Sequence, residues 1–134
     1  MSPPAQGRVR DAMIAEPTSL PVGASAREAG VVLAPPAVRA VYVVGETGAL
    51  VGVVTRKTLV ARLVAPGLDP NTTPVGEIAE APHYTIDADL PLDQAFRFLE
   101  EFDAERVPVL EAGRLVGVLS RSVLRRRLAE DEEP

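Results

Sequence analysis

Two short polar steps in apolar surroundings are the residues best equipped for chemistry in this chain. Thr55-Arg56 and Ser120-Arg121 each set a hydroxyl beside a guanidinium, directly after a run of Val and Leu. A hydroxyl at that point can accept a hydrogen bond from the first backbone N–H groups of a following helix. Those same N–H groups can hold a phosphate. An arginine in a first helical turn opposes the helix dipole, so its recurrence invites either an anionic ligand or a nearby acid. Asp87, Asp89 and Asp93 resemble a carboxylate cluster, yet they fall on a turn and a helix start, where acids are favoured anyway. Neither a nucleophile–base pair nor a glycine-rich phosphate loop is visible, and the chain reads as a non-enzyme.

Both steps sit inside a repeated stretch. "LVGVVTRKTLVARL" (Leu50 to Leu63) and "LVGVLSRSVLRRRL" (Leu115 to Leu128) agree at eight of fourteen positions without a gap, and Gly52 and Gly117 lie 65 residues apart. The repeat extends outward. Val9-Arg10-Asp11-Ala12 corresponds to Val75-Gly76-Glu77-Ile78, and Pro17 to Pro82. Strand-like stretches follow at Thr18 to Leu20 and His83 to Ile86, then helical segments at Ala26 to Leu33 and Leu92 to Phe102. Leu92, Ala95, Phe96, Leu99 and Phe102 form one apolar stripe. Asp89 and Pro91 suit its start, whereas Pro35 and Pro36 require the first helix to stop early.

Two β-runs come next in each half, Val41 to Val44 with Leu50 to Val54, and Val107 to Leu110 with Leu115 to Leu119. Glycine-bearing turns of hairpin length join them. Helices over Arg56 to Val64 and Arg121 to Ala129 close the halves. The division is therefore a disordered N-terminus (1–8), a first repeat (9–64), a linker (65–74), a second repeat (75–129) and an acidic tail (130–134). The fold class is α+β: two β-α-β-β-α repeats packed sheet to sheet with pseudo-two-fold symmetry.

Composition limits the function. The chain has 134 residues, a formal net charge of −5, no cysteine and a single histidine. The acidic balance argues against nucleic acid as a general partner. Cys-ligated and multi-His metal sites are excluded. No long apolar segment predicts a membrane span, and a cytoplasmic protein is the simplest expectation. The basic run Arg125-Arg126-Arg127 is expected to pair with the acidic tail three to six residues on, or else to cross a dimer interface.

The tandem repeat, the "VRDAMIAEP" lead-in and the stretch "RVPVLEAGRLVGVLSRSVL" (Arg106 to Leu124) together resemble a pair of cystathionine-β-synthase (CBS) domains. The resemblance covers Val9 to Leu128. It implies a regulatory module, usually a homodimer, that binds AMP, ADP, ATP or another adenosyl ligand in a cleft between the repeats, with no required cofactor. Carried over, it places Thr55 and Ser120 at the phosphate, with Arg56 and Arg121 beside them. Thr18, Ser19, His83 and Tyr84 would line the base pocket. The position that the resemblance gives to a ribose-holding aspartate is occupied by Thr58 and Val123. Two readings therefore stand: a nucleotide sensor, or a pair without nucleotide that serves as a dimerising or partner-binding scaffold for an unidentified protein.

Overall fold

The computed structural model describes residues 7–132, apart from the side chains of 127, 128 and 130–132. Most of the expected N-terminal segment and the acidic tail's pairing thus fall outside the described residues. In chain order the elements are α1 (Val9–Ala12), β1 (Ile14–Ala15), β2 (Ser19–Pro21), α2 (Ala26–Leu33), β3 (Val41–Val44) and β4 (Leu50–Val54). Then come α3 (Arg56–Leu59), running on as a π-helical turn over Val60–Val64, α4 (Val75–Ile78), β5 (Ile86–Asp87), α5 (Leu92–Glu101), β6 (Arg106–Glu111), β7 (Arg114–Ser120) and α6 (Arg121–Glu132). The α+β class holds, with one three-stranded and one four-stranded sheet.

The two compact units do not follow the linear halves. One comprises residues 17–83 and the other residues 1–16 together with 84–134. Each repeat's lead-in has crossed to the other repeat. Val9 and Ala12 of α1 pack in a core with Leu92, Leu99, Val107, Leu119 and Leu124 of the second repeat. Val75 and Ile78 of α4 pack with Leu33, Val41, Val43 and Val54 of the first. Strand β1 runs antiparallel to β7, with Ile14 opposite Val118 and Ala15 opposite Gly117. In the other unit Glu80 bridges Val53, through hydrogen bonds of 2.8 and 2.9 Å.

This exchange explains the glycine in the repeated stretch. A Cβ on Gly52 would lie 2.9 Å from both the Ala79 Cβ and the Glu80 carbonyl oxygen. One on Gly117 would lie 2.6 Å from the Met13 sulfur and 2.9 Å from the Ile14 carbonyl oxygen. Glycine is the residue that lets a second backbone pass so closely. The crossing lead-in is thus written into each central hairpin.

Local chemistry fixes the helices. Helix α2 opens with a capping box: the Ser25 hydroxyl accepts from the Glu28 N–H at 3.2 Å, and the Glu28 carboxylate accepts from the Ser25 N–H at 2.8 Å. It stops before Pro35, as the prolines require. Helix α5 begins at Leu92 with Pro91, not Asp89, in the N-cap position. Asp89 is drawn away because its carboxylate takes two hydrogen bonds from Arg10, at 2.7 and 3.1 Å. Arg10 is also bound to Glu111, and these two acids raise the arginine's pKa above its ordinary value, Glu111 contributing most. Helix α5 ends in a Schellman arrangement, with Asp103 left-handed at φ 50°. The Ala104 N–H there reaches the Leu99 carbonyl at 2.9 Å.

Candidate functional site

The site is best built from the end of the first sheet. Strand order there is β2-β3-β4, with β2 parallel to β3 and β3 antiparallel to β4. The start of β2 and the end of β4 therefore lie at the same end of the sheet. Ser19 lies opposite Tyr42, and Tyr42 opposite Val53. Thr18 accepts the Tyr42 N–H at 2.9 Å through its carbonyl. Two strand spacings, about 10 Å, separate Thr18 and Ser19 from the corner that follows β4. Both are exposed.

At that corner Thr55 has extended backbone (φ −119°, ψ 176°), and its hydroxyl accepts the Thr58 N–H at 3.2 Å. The Thr58 hydroxyl in turn accepts the Thr55 N–H at 3.0 Å and lies 3.0 Å from the Thr55 hydroxyl. Thr58 is buried, 1% exposed. Its remaining partner is the Glu80 carboxylate at 3.4 Å. Glu80 arrives on the exchanged lead-in and is half-exposed, with Arg62 at 3.5 Å. Two hydroxyls, a carboxylate and a guanidinium thus converge on one end of an apolar sheet.

Glu80 was not singled out from the sequence. Its counterpart in the repeat is Ile14, which bridges Val118 as Glu80 bridges Val53, so comparing the halves carries no signal for it. Its presence also gives a reason for threonine at position 58. An aspartate there would put a second carboxylate in a buried position beside Glu80.

The second corner is built alike but is less polar. Ser120 is buried, 2% exposed. Its hydroxyl accepts the Val123 N–H at 3.4 Å and lies 3.2 Å from the Ser122 hydroxyl. Val123 and Ile14 stand where the first corner has Thr58 and Glu80, so no carboxylate occupies the corresponding place.

The two arginines reach to the end of the helix before them. The Arg56 Nη2 donates to the carbonyls of Leu33 at 2.6 Å and Pro35 at 2.7 Å. Arg121 donates to the Leu99 carbonyl at 3.4 Å and to the Asp103 carboxylate at 2.9 Å. Leu33 and Leu99 are matched positions of the repeat. A cation that opposes the dipole of its own helix thus sits at the C-terminus of another, where it is favoured. Glu100 and Glu105 approach Arg121 at 3.8 and 3.5 Å, and the acids, Asp103 foremost, raise its pKa.

Tyr84 packs by its ring against Phe98 and Phe102, with centroids 5.4 and 5.2 Å away. His83 is exposed and belongs to the other compact unit. Arg125 pairs with Glu100 of α5 at 2.8 Å, α5 and α6 packing side by side.

The profile of the CBS domain matches residues 9–65 and 75–130, most of both halves. The chain belongs to the CBS domain family. Hypoxic response protein 1 of Mycobacterium tuberculosis is 35% identical over 91 residues, 68% of this chain and 64% of the relative. The chain thus matches under two thirds of that relative's length. A crystal structure of Hypoxic Response Protein I with two coordinated zinc ions superposes with a TM-score of 0.75 at 29% identity, covering 95% of this chain and 99% of that one. CBSX2 in complex with AMP gives a TM-score of 0.76 at 24% identity, covering 94% of this chain and 98% of that one. A CBS domain pair in complex with 5-methylthioadenosine and S-adenosyl-L-methionine gives 0.69 at 23%, covering 93% and 98%. This chain has no cysteine and one histidine, and the described residues contain no group of three or more potential metal-binding side chains. Among the described residues no helix is long and apolar enough to cross a membrane.

Proposed function

We propose that this CBS pair is a non-catalytic regulatory module, a homodimer in the cytoplasm, that binds an adenine nucleotide (AMP, ADP or ATP) or a related adenosyl ligand. The first-repeat corner is the site. The observation that carries the reading is the convergence of Thr55, Thr58 and Glu80 at the end of the sheet where β2 begins. A half-exposed carboxylate is suited to accept hydrogen bonds from both hydroxyls of a ribose. It stands beside the position that the family resemblance gives to an aspartate. Thr18 and Ser19, about 10 Å across the strands, are at a distance that a nucleoside spans. The adenosyl ligands named for CBSX2 and for the methylthioadenosine complex support this class. A bound ligand shifts an equilibrium only through differential affinity, so an unidentified partner protein would read the change.

The test is a thermal-shift series with AMP, ADP, ATP and S-adenosylmethionine. At about 100 times its dissociation constant a ligand adds about 2.7 kcal/mol, which raises the melting point by roughly 10 °C for a chain of this size. Each variant is compared with its own ligand-free melt. Glu80→Ala should abolish the shift and Ser120→Ala should leave it. The scaffold reading is favoured by the commitment of both arginines to helix ends. No shift with any of the four ligands would establish it instead.

A further inference from the structure

Beside α2 lies an open cavity of about 420 Å³ that shares no residue with the Thr55–Glu80 corner. Its apolar lining is Leu20 of β2 with Val31 and Val32 of α2, and its polar groups come from Arg27, Glu28 and Asn71. The Arg27 N–H donates to the Pro70 carbonyl at 3.0 Å, and the Asn71 N–H to the Asp69 carboxylate at 2.9 Å. These bonds hold Asn71 beside the start of α2. Among the described residues, nothing pairs with the Arg27 guanidinium or the Asn71 carboxamide. Glu28 is engaged through Oε2, which accepts the Ser25 N–H at 2.8 Å, while its Oε1 is open to a further donor. The second repeat treats the same positions differently. Ile86, Asp93, Arg97 and Phe98 match Leu20, Arg27, Val31 and Val32. Arg97 pairs with Asp93 at 3.6 Å, and Phe98 packs on Tyr84 and Phe102 with centroids 5.4 and 4.9 Å away. A charge that is answered one turn on in the second repeat is thus left unanswered in the first, where a valine stands in that place.

We infer that this cavity binds a free α-amino acid with an aliphatic side chain, of the size of leucine. Its carboxylate meets Arg27, its ammonium meets Oε1 of Glu28, and its side chain lies against Leu20, Val31 and Val32. A recess of several hundred Å³ with an apolar lining and a few placed polar groups is the usual form of a small-ligand site. The planar guanidinium matches a carboxylate with two parallel donors, and the Asn71 carboxamide has a donor for the same group. An ammonium is a donor only, which suits the open carboxylate oxygen. The apolar lining selects the side chain, because a polar one would lose its water without gaining a partner. Charge selects the zwitterion. The chain's net charge of −5 repels a simple anion at long range, whereas an amino acid carries no net charge. The inference does not rest on nucleotide binding.

Titrating L-leucine into the full ¹⁵N-labelled chain, with amide shifts followed by NMR, tests it. The shifts should saturate at millimolar ligand or below and centre on Arg27, Glu28, Val31 and Asn71. Arg27→Gln should weaken binding about tenfold or more. Glu28→Gln should do the same while keeping the cap, since glutamine also serves in a capping box. The double substitution Arg27→Asp with Val31→Arg, which copies the ion pair of the second repeat, should abolish binding. All three positions are exposed, so far-UV spectra should be unchanged. Leucine amide, which lacks the carboxylate, and 4-methylpentanoate, which lacks the ammonium, should each bind about tenfold more weakly or worse. Glu80→Ala should leave leucine binding intact, which separates this site from the nucleotide corner. The absence of saturable shifts at these residues overturns the inference. So does an affinity unchanged by Arg27→Gln and by the double substitution, equal binding of 4-methylpentanoate, or a loss with Glu80→Ala.

Discussion

Replacing Gly52 by alanine probes the exchanged lead-in directly. The added Cβ would meet the Ala79 Cβ and the Glu80 carbonyl oxygen, each at 2.9 Å. Both belong to the lead-in's backbone region, so relief requires moving residues 79–80 away from β4. That movement opposes the paired hydrogen bonds between Val53 and Glu80, at 2.8 and 2.9 Å. Overpacking of this kind costs about 1–3 kcal/mol, and weakening two hydrogen bonds adds about 1 kcal/mol. Relief of glycine's unfolded-state entropy returns about 0.5–1 kcal/mol. The net expectation is a loss of about 2 kcal/mol, or roughly 8 °C in the melting point. Urea titration should show a lower midpoint with an unchanged slope. Gly30 supplies the opposite sign. It lies inside α2, a Cβ there meets nothing within 4 Å, and Gly30→Ala should stabilise by about 0.5–1 kcal/mol. A Gly52→Ala protein as stable as the parent would refute the close-crossing argument, as would equal losses at both glycines.

Two further perturbations address the corner. Thr58→Asp should destabilise by about 2–3 kcal/mol, because it buries a carboxylate beside Glu80. Adding Glu80→Gln should recover about 1 kcal/mol or more in a double-mutant cycle of thermal melts, and additivity would show that the two side chains do not interact. Arg56→Ala should cost about 1–2 kcal/mol through loss of the bonds to Leu33 and Pro35. Arg56→Lys should keep most of that, since a single nitrogen makes both contacts. A neutral Arg56→Ala would remove the helix-clamp role.

Much of the architecture was legible because it rests on local chemistry. The spans of α2, β3 and β4 follow from prolines, a hairpin turn and runs of valine, all visible in the chain. The caps at Thr55 and Ser120 were readable for the same reason, as polar residues ending apolar strands. What escaped depends on partners distant in sequence. Asp89 has the right type and spacing for a helix cap, but Arg10, 79 residues away, claims its carboxylate. Arg125 pairs with Glu100 on a neighbouring helix, 25 residues away in sequence. Glu80 matters only because a lead-in crosses between repeats, which no periodicity records. The repeated glycine was the visible trace of that crossing, and its cause became clear only when the Cβ positions were filled.

The exchange of lead-ins also sets a timetable. Residues 17–83 form an uninterrupted unit inside the chain, while the other unit is assembled from both ends. On a ribosome the inner unit is completed first. Strand β1 waits for its partner β7, since Ile14 pairs with Val118, 104 residues later. At about 5–20 residues per second that delay is roughly 5–20 s. For that interval a short apolar strand next to Met13 has no sheet to join. Strand β1 therefore leaves the exit tunnel well before the strand that gives it a place.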